Sequence, residues 1–215
     1  MESVLAEAVA LLDEAGAAAL TFRALAQRLG GGVASIYWYV ANKDELLDRA
    51  ADHAMGPVLN DVDKLPRSDD PIDDLRSIAL TLFDAIVQRP WLSSYFMRNT
   101  SIQTHTLGLY EKLGQQTLRL DLTPSQRFYA VSAIVGVVVG SAADLGQEPT
   151  QDMLDGNVDR DAYLHRIAQD WRDLDPREFP FVHEIADEFD GHDDADQFRA
   201  ALELTLTGLR LQAGA

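Results

Sequence analysis

Apolar residues recur three or four positions apart along most of the chain, and turn-forming residues separate the apolar stretches. This spacing is that of amphipathic helices that bury one face. No segment shows the alternating pattern of a strand, and no internal repeat is present, so the chain is predicted to be all-α. The predicted helices cover residues 3–15, 22–29, 34–39, 43 onward, 72–87, 91–97, 102–118, 124–145, 161–171, 181–189 and 194–211.

The starts and stops of the first four helices are marked by residues with known local preferences. Gly16 ends the first helix, Thr21 is a good N-cap for the second, and the three glycines 30–32 follow the second. Asn42 and Glu45 have the spacing of a capping box, in which each end of the motif satisfies a free backbone N–H. Two helices, a glycine turn and a further short helix form the layout of a helix-turn-helix unit.

These signals divide the chain into a small and a larger domain. We predict a helix-turn-helix domain at residues 1–50 and a larger helical domain at residues 51–215. Near the start of the larger domain, Gly56-Pro57 and the polar run 61–71 are predicted to interrupt the helical pattern, which resumes at residue 72.

Three large aromatic residues, Tyr37 to Tyr39, stand in a row in the predicted third helix. Consecutive helical residues point about 100° apart, so one buried face cannot hold all three rings. Ile36 and Val40 are four residues apart and are predicted to form the inward face. At least one ring is therefore expected in solvent or against another molecule. The alternative is that Tyr37 and Trp38 are buried and hold the helices together, with the third ring at the rim.

Charge is distributed unevenly along the chain. The net charge is −17, but residues 144–196 hold 17 acidic and 4 basic residues, a net of −13, which leaves −4 for the rest. The overall charge therefore says little about the first fifty residues. That region has four basic residues against seven acidic ones, so any nucleic-acid surface there must be small and locally arranged.

Several classes of function are disfavoured by composition and motifs. The absence of cysteine excludes disulfides, thiolate zinc sites and cysteine nucleophiles. The five histidines form no zinc-protease motif, and neither a phosphate-binding loop nor a nucleophile elbow is present, so we expect no enzyme activity, no metal and no cofactor. The start of the chain lacks the pattern of a signal peptide, and the apolar run 133–143 is shorter than a membrane span. We expect a cytoplasmic protein with no membrane partner.

Residues 21–47, TFRALAQRLGGGVASIYWYVANKDELL, resemble the DNA-binding helix-turn-helix of TetR-family repressors, in the tetracycline-repressor branch. In that branch a Leu-Tyr-Trp-His-Val run precedes Asn-Lys, and here Ile36 to Val40 precedes Asn42-Lys43. The resemblance implies a ligand-responsive repressor that binds a palindromic operator as a homodimer. It lowers the weight of the alternative in which the aromatic rings are buried.

The resemblance also implies roles for individual residues on the DNA side. Arg23 corresponds to an arginine that reaches a guanine edge or a phosphate, and guanidinium suits bidentate guanine contact. Val33 stands where relatives often carry a polar base reader, so it either touches a thymine methyl or packs. The other implied contacts are Ser35 and Tyr39 in the groove, and Tyr37, Trp38 and Lys43 on the DNA backbone.

Three features limit what can be carried over from the family. For Arg28 we favour pairing with a neighbouring acid over DNA contact. Gly31 replaces the usual apolar turn residue and Gly32 extends the glycine run, so the third helix is expected to start late or to be soft. Tyr39 in place of the usual histidine implies different base preferences, and the operator sequence therefore stays open.

The larger domain resembles the regulatory domain of the same branch more weakly. The helices near 124–145 and 194–211 resemble those that build the homodimer, and the first of them has a face of small residues. The alternative for this helix is burial within one subunit. The tetracycline–magnesium chemistry of that branch is not matched. For an unknown small-molecule effector we predict an apolar pocket, with an ordinary core as the alternative, at Leu82, Phe83, Ile86, Tyr95, Phe96, His105, Leu109, Tyr110, Phe128 and Val135.

A second function remains open from the sequence. Few basic residues and three successive glycines are compatible with an all-α small-molecule-binding module that no longer uses DNA. Steep salt dependence of duplex binding would distinguish the regulator from this alternative. The sequence assigns no role to the acidic segment 144–196, and it does not identify the effector or the regulated genes.

Overall fold

The computed structural model describes residues 1–98, 103–145 and 159–214, and within these ranges the chain forms helices and turns without a strand. The all-α prediction is confirmed. The helices are α1 (Glu2–Ala19), α2 (Phe22–Arg28), α3 (Val33–Ile36), α4 (Lys43–Asp63), α5 (Pro71–Val87), α6 (Pro90–Arg98), α7 (Thr104–Thr117), α8 (Pro124–Leu145), α9 (Arg160–Arg172), α10 (Pro180–Asp190) and α11 (Asp194–Gln212).

The chain divides into two compact units. One unit comprises residues 1–146 together with 202–215, and the other comprises residues 147–201. The predicted functional boundary at residue 50 lies within the continuous helix α4. The division into a reading domain and a regulatory domain therefore stays a prediction about roles.

The first four helices pack around a small apolar core. Helix α1 packs against α2 and α4, and α2 packs against α3. Leu12, Leu25, Ile36 and Leu46, one from each helix, are at most 1% exposed. Gly16 adopts φ +68° inside α1 and breaks it, which agrees with the predicted stop, although one more helical turn follows.

Helix α4 continues through Gly56-Pro57, so the predicted interruption there is wrong. A proline inside a helix removes one backbone hydrogen bond and costs about 3 kcal/mol. Here the proline ring is exposed, while Met55, Val58 and Val62 on either side of it are buried. Packing of α4 against α5 and α7 therefore outweighs the lost bond. The interruption comes after Asp63, in the polar run.

Helices α5 to α8 form the body of the first unit, with α8 packed against α5, α6 and α7. Two ion pairs connect α5 with the C-terminal half of α11. Arg210 donates to Asp70 at 2.5 Å, and Arg76 donates to Glu203. Asp70 also accepts from the backbone N–H of Ile72 at 2.8 Å, so the same carboxylate caps α5 and binds α11.

Helix α8 is strongly apolar and exposes much of its surface. Among those residues it is the one helix that is long and apolar enough, by length and composition, to cross a membrane. The sequence-based expectation that no segment is long enough rests on the apolar run 133–143. Helix α8 extends beyond that run on both sides. Only 22% of its most apolar window is buried. This helix therefore presents an exposed apolar surface of the kind that marks an interaction site.

The second unit contains α9, α10 and the first turns of α11. Its small core includes Leu164, Ala168, Ala186 and Phe198, all buried. Arg172 donates to Asp187 at 2.6 Å and to Asp190 at 2.9 Å, which joins α9 and α10 across an acidic surface.

Candidate nucleic-acid interface

The turn between α2 and α3 is closed by backbone hydrogen bonds. Thr21 caps α2 by accepting from the N–H of Ala24 at 3.1 Å, as predicted. At the other end, the N–H of Gly30 donates to Gln27 at 3.2 Å and that of Gly31 donates to Ala26 at 2.9 Å. Gly30 has φ +66°, a conformation that residues with a side chain rarely adopt. The first of the three glycines is therefore required by the geometry of the turn.

Helix α3 begins at Val33 and ends at Ile36, so it is shorter than the predicted helix at 34–39. Of the two outcomes expected from the glycine run, the late start is wrong, because Gly32 serves as the N-cap in an extended conformation. Softness of this helix stays a prediction. Its carbonyl accepts from the N–H of Ser35 at 3.0 Å and from the Ser35 hydroxyl at 2.6 Å. The aromatic row forms a turn, in which Ile36 accepts from the N–H of Tyr39 at 2.9 Å.

All three aromatic side chains lie on the surface. Tyr37 is 59% exposed, Trp38 is 88% exposed and Tyr39 is 38% exposed, while Ile36 and Val40 are buried beneath them. The predicted anchors are confirmed, and the alternative in which the rings are buried is wrong. The Tyr37 ring packs edge-on against Phe22 of α2, with ring centroids 4.8 Å apart. The row is thus held in place by α2 and remains open to a partner.

The two arginines of α2 have different surroundings. Arg28 donates to both carboxylate oxygens of Glu14, at 2.7 and 2.9 Å, and lies 3.3 Å from Glu7. The hydrogen bond with Glu14 raises the pKa of Arg28, and the same bond lowers the pKa of Glu14. The favoured pairing of Arg28 with acids is confirmed. Arg23 is exposed and makes no hydrogen bond or ion pair within the described residues, so its guanidinium is available to a ligand.

Lys43, at the first position of α4, donates from Nζ to the carbonyl of Ala17 at 2.9 Å. The ammonium group has three donors, so two remain for a phosphate. Asn42 caps α4 by accepting from the N–H of Glu45 at 2.8 Å, as predicted. The Glu45 carboxylate accepts from the N–H of Ala41 at 2.7 Å, one residue earlier than a standard capping box, and this bond is the main cause of its lowered pKa.

Two aspartates on α4 connect this helix to the body of the unit. Asp48 accepts from the Tyr95 hydroxyl of α6 at 2.9 Å, and burial of that hydroxyl, together with Asp48, raises the pKa of Tyr95. Asp52 accepts from the backbone N–H of His105 at 2.8 Å and of Thr106 at 3.0 Å, at the start of α7. Sequence reasoning missed both aspartates, although their spacing of one helical turn was a usable signal.

The predicted effector residues lie in three different environments. Leu82, Phe83, Ile86, Tyr95 and Leu109 are buried, as in an ordinary core; Phe96, His105, Tyr110 and Val135 are half-buried; and Phe128 is 60% exposed. The structure therefore does not place Phe128 with the buried group. His105 lines a cleft of about 250 Å³ with Leu5, Arg49, Asp52, His53 and Gln103.

Within the part of the chain that the structure describes, no group of three or more His, Asp or Glu side chains is placed to hold a metal ion.

Comparison with known proteins identifies the family. The family model described as bacterial regulatory proteins, tetR family, matches residues 4–50, which contain every predicted DNA contact. The solved transcriptional regulator SCO7222, a TetR from Streptomyces coelicolor, is 34% identical, with 99% of this chain and 98% of that chain covered and a TM-score of 0.80. The chain belongs to the TetR family.

Other relatives agree with this assignment. An HTH-type transcriptional regulator of Saccharopolyspora erythraea is 34% identical over 95 residues, a match that spans 43% of this chain and 38% of that protein. The HTH-type transcriptional repressor DrrR1 of Streptomyces coeruleorubidus is 24% identical over 217 residues, covering 98% of this chain and 77% of that protein. ActR of S. coelicolor, solved in complex with actinorhodin, shares the fold at 22% identity, with a TM-score of 0.82 and coverage of 100% of this chain and 99% of that chain.

As a member of the TetR family, the chain is a transcriptional regulator with a DNA-binding helix-turn-helix. The matched residues include all of α1 but its first two residues, the whole of α2 and α3, and the first turns of α4. The exposed aromatic row, Arg23 and Lys43 all belong to this segment. Their individual roles on DNA remain predictions.

Proposed function

We propose that this TetR-family regulator is a ligand-responsive repressor that acts in the cytoplasm, rather than an enzyme, and binds a palindromic operator as a homodimer. The observation that carries the proposal is the exposed aromatic row Tyr37 to Tyr39, set on the buried anchors Ile36 and Val40. Exposing three large rings to water is unfavourable unless another surface covers them. In a chain whose helix-turn-helix matches a DNA-binding family, that surface is the duplex.

The DNA face combines one free guanidinium, one lysine and several hydroxyls. Arg23 is placed to contact a guanine edge or a phosphate, and Val33, Ser35 and Tyr39 lie on the exposed surface of α3 and the turn after it. Tyr37, Trp38 and Lys43 are assigned to the phosphates and sugars, which position a protein on DNA without reading sequence. Two cations in one chain give weak binding, so two copies are needed for a stable complex.

The homodimer is supported by the apolar faces of α8 and α11. On α8, Tyr129, Ala133, Gly136 and Gly140 are exposed at the spacing of one helical face, and the small residues allow another helix to approach closely. On α11, Leu204 is 77% exposed and Leu211 is 75% exposed, seven residues apart. In the proposed dimer, a second copy covers these faces and brings two α3 helices to the same side of a duplex. Recognition elements about 34 Å apart can read successive major grooves of a palindrome.

Ligand response is assigned to the buried group of Leu82, Phe83, Ile86, Tyr95 and Leu109. These side chains fill the body of the first unit, so an effector must separate some of them to bind. Tyr95 is bonded to Asp48 of α4, the helix that begins beside the DNA face. An effector that moves Tyr95 therefore acts on α4 and shifts the population of DNA-competent dimers. The complex of ActR with actinorhodin supports an organic effector for this fold.

In-vitro selection of bound duplexes from a random pool tests the proposal. The expected result is an enriched palindrome whose affinity falls steeply with salt, because phosphate contacts release counterions. The double variant Arg23→Ala, Lys43→Ala serves as the control and is expected to enrich nothing. Recovery of unchanged random sequence by the parent protein, or binding that is insensitive to salt, would contradict the proposal.

A further inference from the structure

We propose that α3 reads the 5-methyl group of thymine through Val33, so that the operator half-site is specified under this helix by a methyl contact. This inference rests on the proposed DNA-binding function and names the chemical group that the reading face recognises.

The first observation concerns the side chains available on this face. Residues 29–41 contain no Asn, Gln, Arg, Lys, His, Asp or Glu, which are the residues that make bidentate or charged contacts to base edges. The Ser35 hydroxyl donates to Gly32 within the turn, so towards DNA it offers an acceptor only. Hydrogen-bonding groups on this face are therefore the Ser35 and tyrosine hydroxyls and the indole N–H of Trp38, none of which is charged or bidentate. The other side chains of the face offer apolar contacts.

Val33 is exposed although it is apolar and lies at the first position of α3. Its side chain is 37% exposed, while Ile36, on the same short helix, is 1% exposed. Part of the Val33 side chain is therefore open to another surface, and a branched apolar residue gains nothing from contact with water. Ala34 beside it is also exposed and too small to keep a base edge away.

Gly32 supplies an independent observation. Its φ of −92° is available to any residue, so the backbone does not demand glycine there. A Cβ built on Gly32 meets nothing within 4 Å, so packing within the chain does not demand glycine either. A side chain at Gly32 would project from the surface immediately before Val33. Its absence lets a second molecule approach the backbone and the Val33 methyl groups closely.

The major groove offers one apolar group among the base edges, which is the C5 methyl of thymine. The exposed part of Val33 can pack against that methyl group, because nothing in the described part of the chain blocks the approach. It cannot pair with the hydrogen-bonding groups of the base edges. Burying one methyl-sized apolar group corresponds to about a fourfold change in affinity per half-site. Loss of the contact in both half-sites of a palindrome then corresponds to roughly sixteenfold.

Replacement of thymidine by deoxyuridine tests the inference, because it removes the methyl group and leaves every hydrogen-bonding edge intact. In the selected operator, symmetric replacement at one position in each half-site is expected to weaken binding by roughly sixteenfold. The Val33→Ala variant is expected to bind thymine and uracil operators equally. Val33→Thr keeps one methyl group and retains part of the difference, and Tyr39→Phe retains all of it.

The outcomes separate the two proposals. If the parent protein binds thymine and uracil operators equally at every position, or if Val33→Ala keeps the full difference, the methyl contact is wrong while the DNA-binding function stands. If no duplex is bound, both proposals are wrong. Because Val33 is partly exposed and lies at the first position of a short surface helix, its variants are expected to fold, which circular dichroism verifies.

Discussion

The carboxylate of Asp52 accepts the backbone N–H of His105 at 2.8 Å and lies 2.9 Å from Nδ1 of the same residue. Gln103, the N-cap residue of α7, makes no capping bond with its own side chain. Helix α7 is therefore capped by a residue of α4, more than fifty positions earlier in the chain. Since α4 also carries Lys43 at its first position, the start of α7 and the DNA face are connected through one continuous helix.

Replacing Asp52 with alanine is expected to destabilise the protein by about 1 kcal/mol, the usual cost of losing a helix cap. Urea denaturation followed by circular dichroism measures the change. Asp61→Ala is the matched control, because Asp61 lies on the same helix and its carboxylate pairs, among the described residues, with the exposed Lys64 alone. It is expected to change the free energy of unfolding by less than about 0.5 kcal/mol. Equal effects of the two substitutions would show that Asp52 does not serve as a cap.

The two arginines of α2 form a matched pair for the DNA face. Arg23→Ala is expected to weaken operator binding by about 1–3 kcal/mol and to relax base preference at one position, because its guanidinium is free. Arg28→Ala should leave operator affinity nearly unchanged, because that side chain is held by Glu14. Fluorescence anisotropy with the operator and its single-base variants measures both. A larger loss for Arg28→Ala than for Arg23→Ala would reverse the assignment.

Lys43→Ala is expected to weaken binding to all duplexes to a similar extent. Loss of one phosphate contact per subunit should reduce the slope of log affinity against log salt concentration by about one for each contact. Lys64→Ala removes the same charge at the C-cap of α4, at the opposite end from Lys43, and should leave the slope of log affinity against log salt concentration unchanged. A Lys43→Ala protein with the parent slope would mean that the lysine only holds the carbonyl of Ala17.

The proposed dimer interface is tested by a charge on its apolar face. Leu204→Glu buries an unpaired carboxylate in the dimer, so it should shift the protein to monomers in analytical ultracentrifugation. Leu118→Glu, at a leucine that is 63% exposed just after α7, should leave the dimer intact. A dimeric Leu204→Glu protein would place the interface elsewhere.

Acid should weaken the attachment of α11 to α5. The hydrogen bond from Arg210 is the main cause of the lowered pKa of Asp70, and Arg76 likewise lowers the pKa of Glu203. A carboxylate with a lowered pKa stabilises the fold above its ordinary pKa, about 4, and that stabilisation is lost as the pH falls through the folded value. The melting temperature of the parent protein should therefore fall below about pH 4.

The Arg210→Gln variant identifies the source of this pH dependence. Without the guanidinium, the pKa of Asp70 returns towards its ordinary value, so the melting temperature should be lower at neutral pH and should change less on acidification. A variant with the same pH profile as the parent would exclude the Asp70–Arg210 pair as a contributor.

Local signals in the sequence predicted most helix boundaries and the inward anchors of α3. Thr21, Asn42 and Pro124 mark helix starts by their own chemistry, and Ile36 and Val40 were assigned to the core by spacing alone. These features depend on neighbours within a few residues. The same local spacing predicts that at least one ring of the aromatic row is exposed, whereas the exposure of all three rings is a finding of the structure.

Features that depend on distant contacts were not predictable in this way. The continuity of α4 through Pro57 is decided by burial against α5 and α7, which overrides the local preference of proline. The cap of α7 comes from Asp52, and Lys43 bonds to Ala17, two pairs with large sequence separation. The length of α3 was overestimated because the aromatic residues continue its apolar pattern but adopt a turn.

The exposure of Trp38 gives the protein a natural optical reporter. Of the three tryptophans, Trp91 is buried with its indole N–H bonded to Asp13, and Trp171 packs at a tilt against Phe189, so their emission depends on the fold. The indole of Trp38 is 88% exposed on the DNA face and emits from a watery environment until a duplex covers it. Operator occupancy and effector-driven release can therefore be followed in real time through the intrinsic fluorescence of the unlabelled protein.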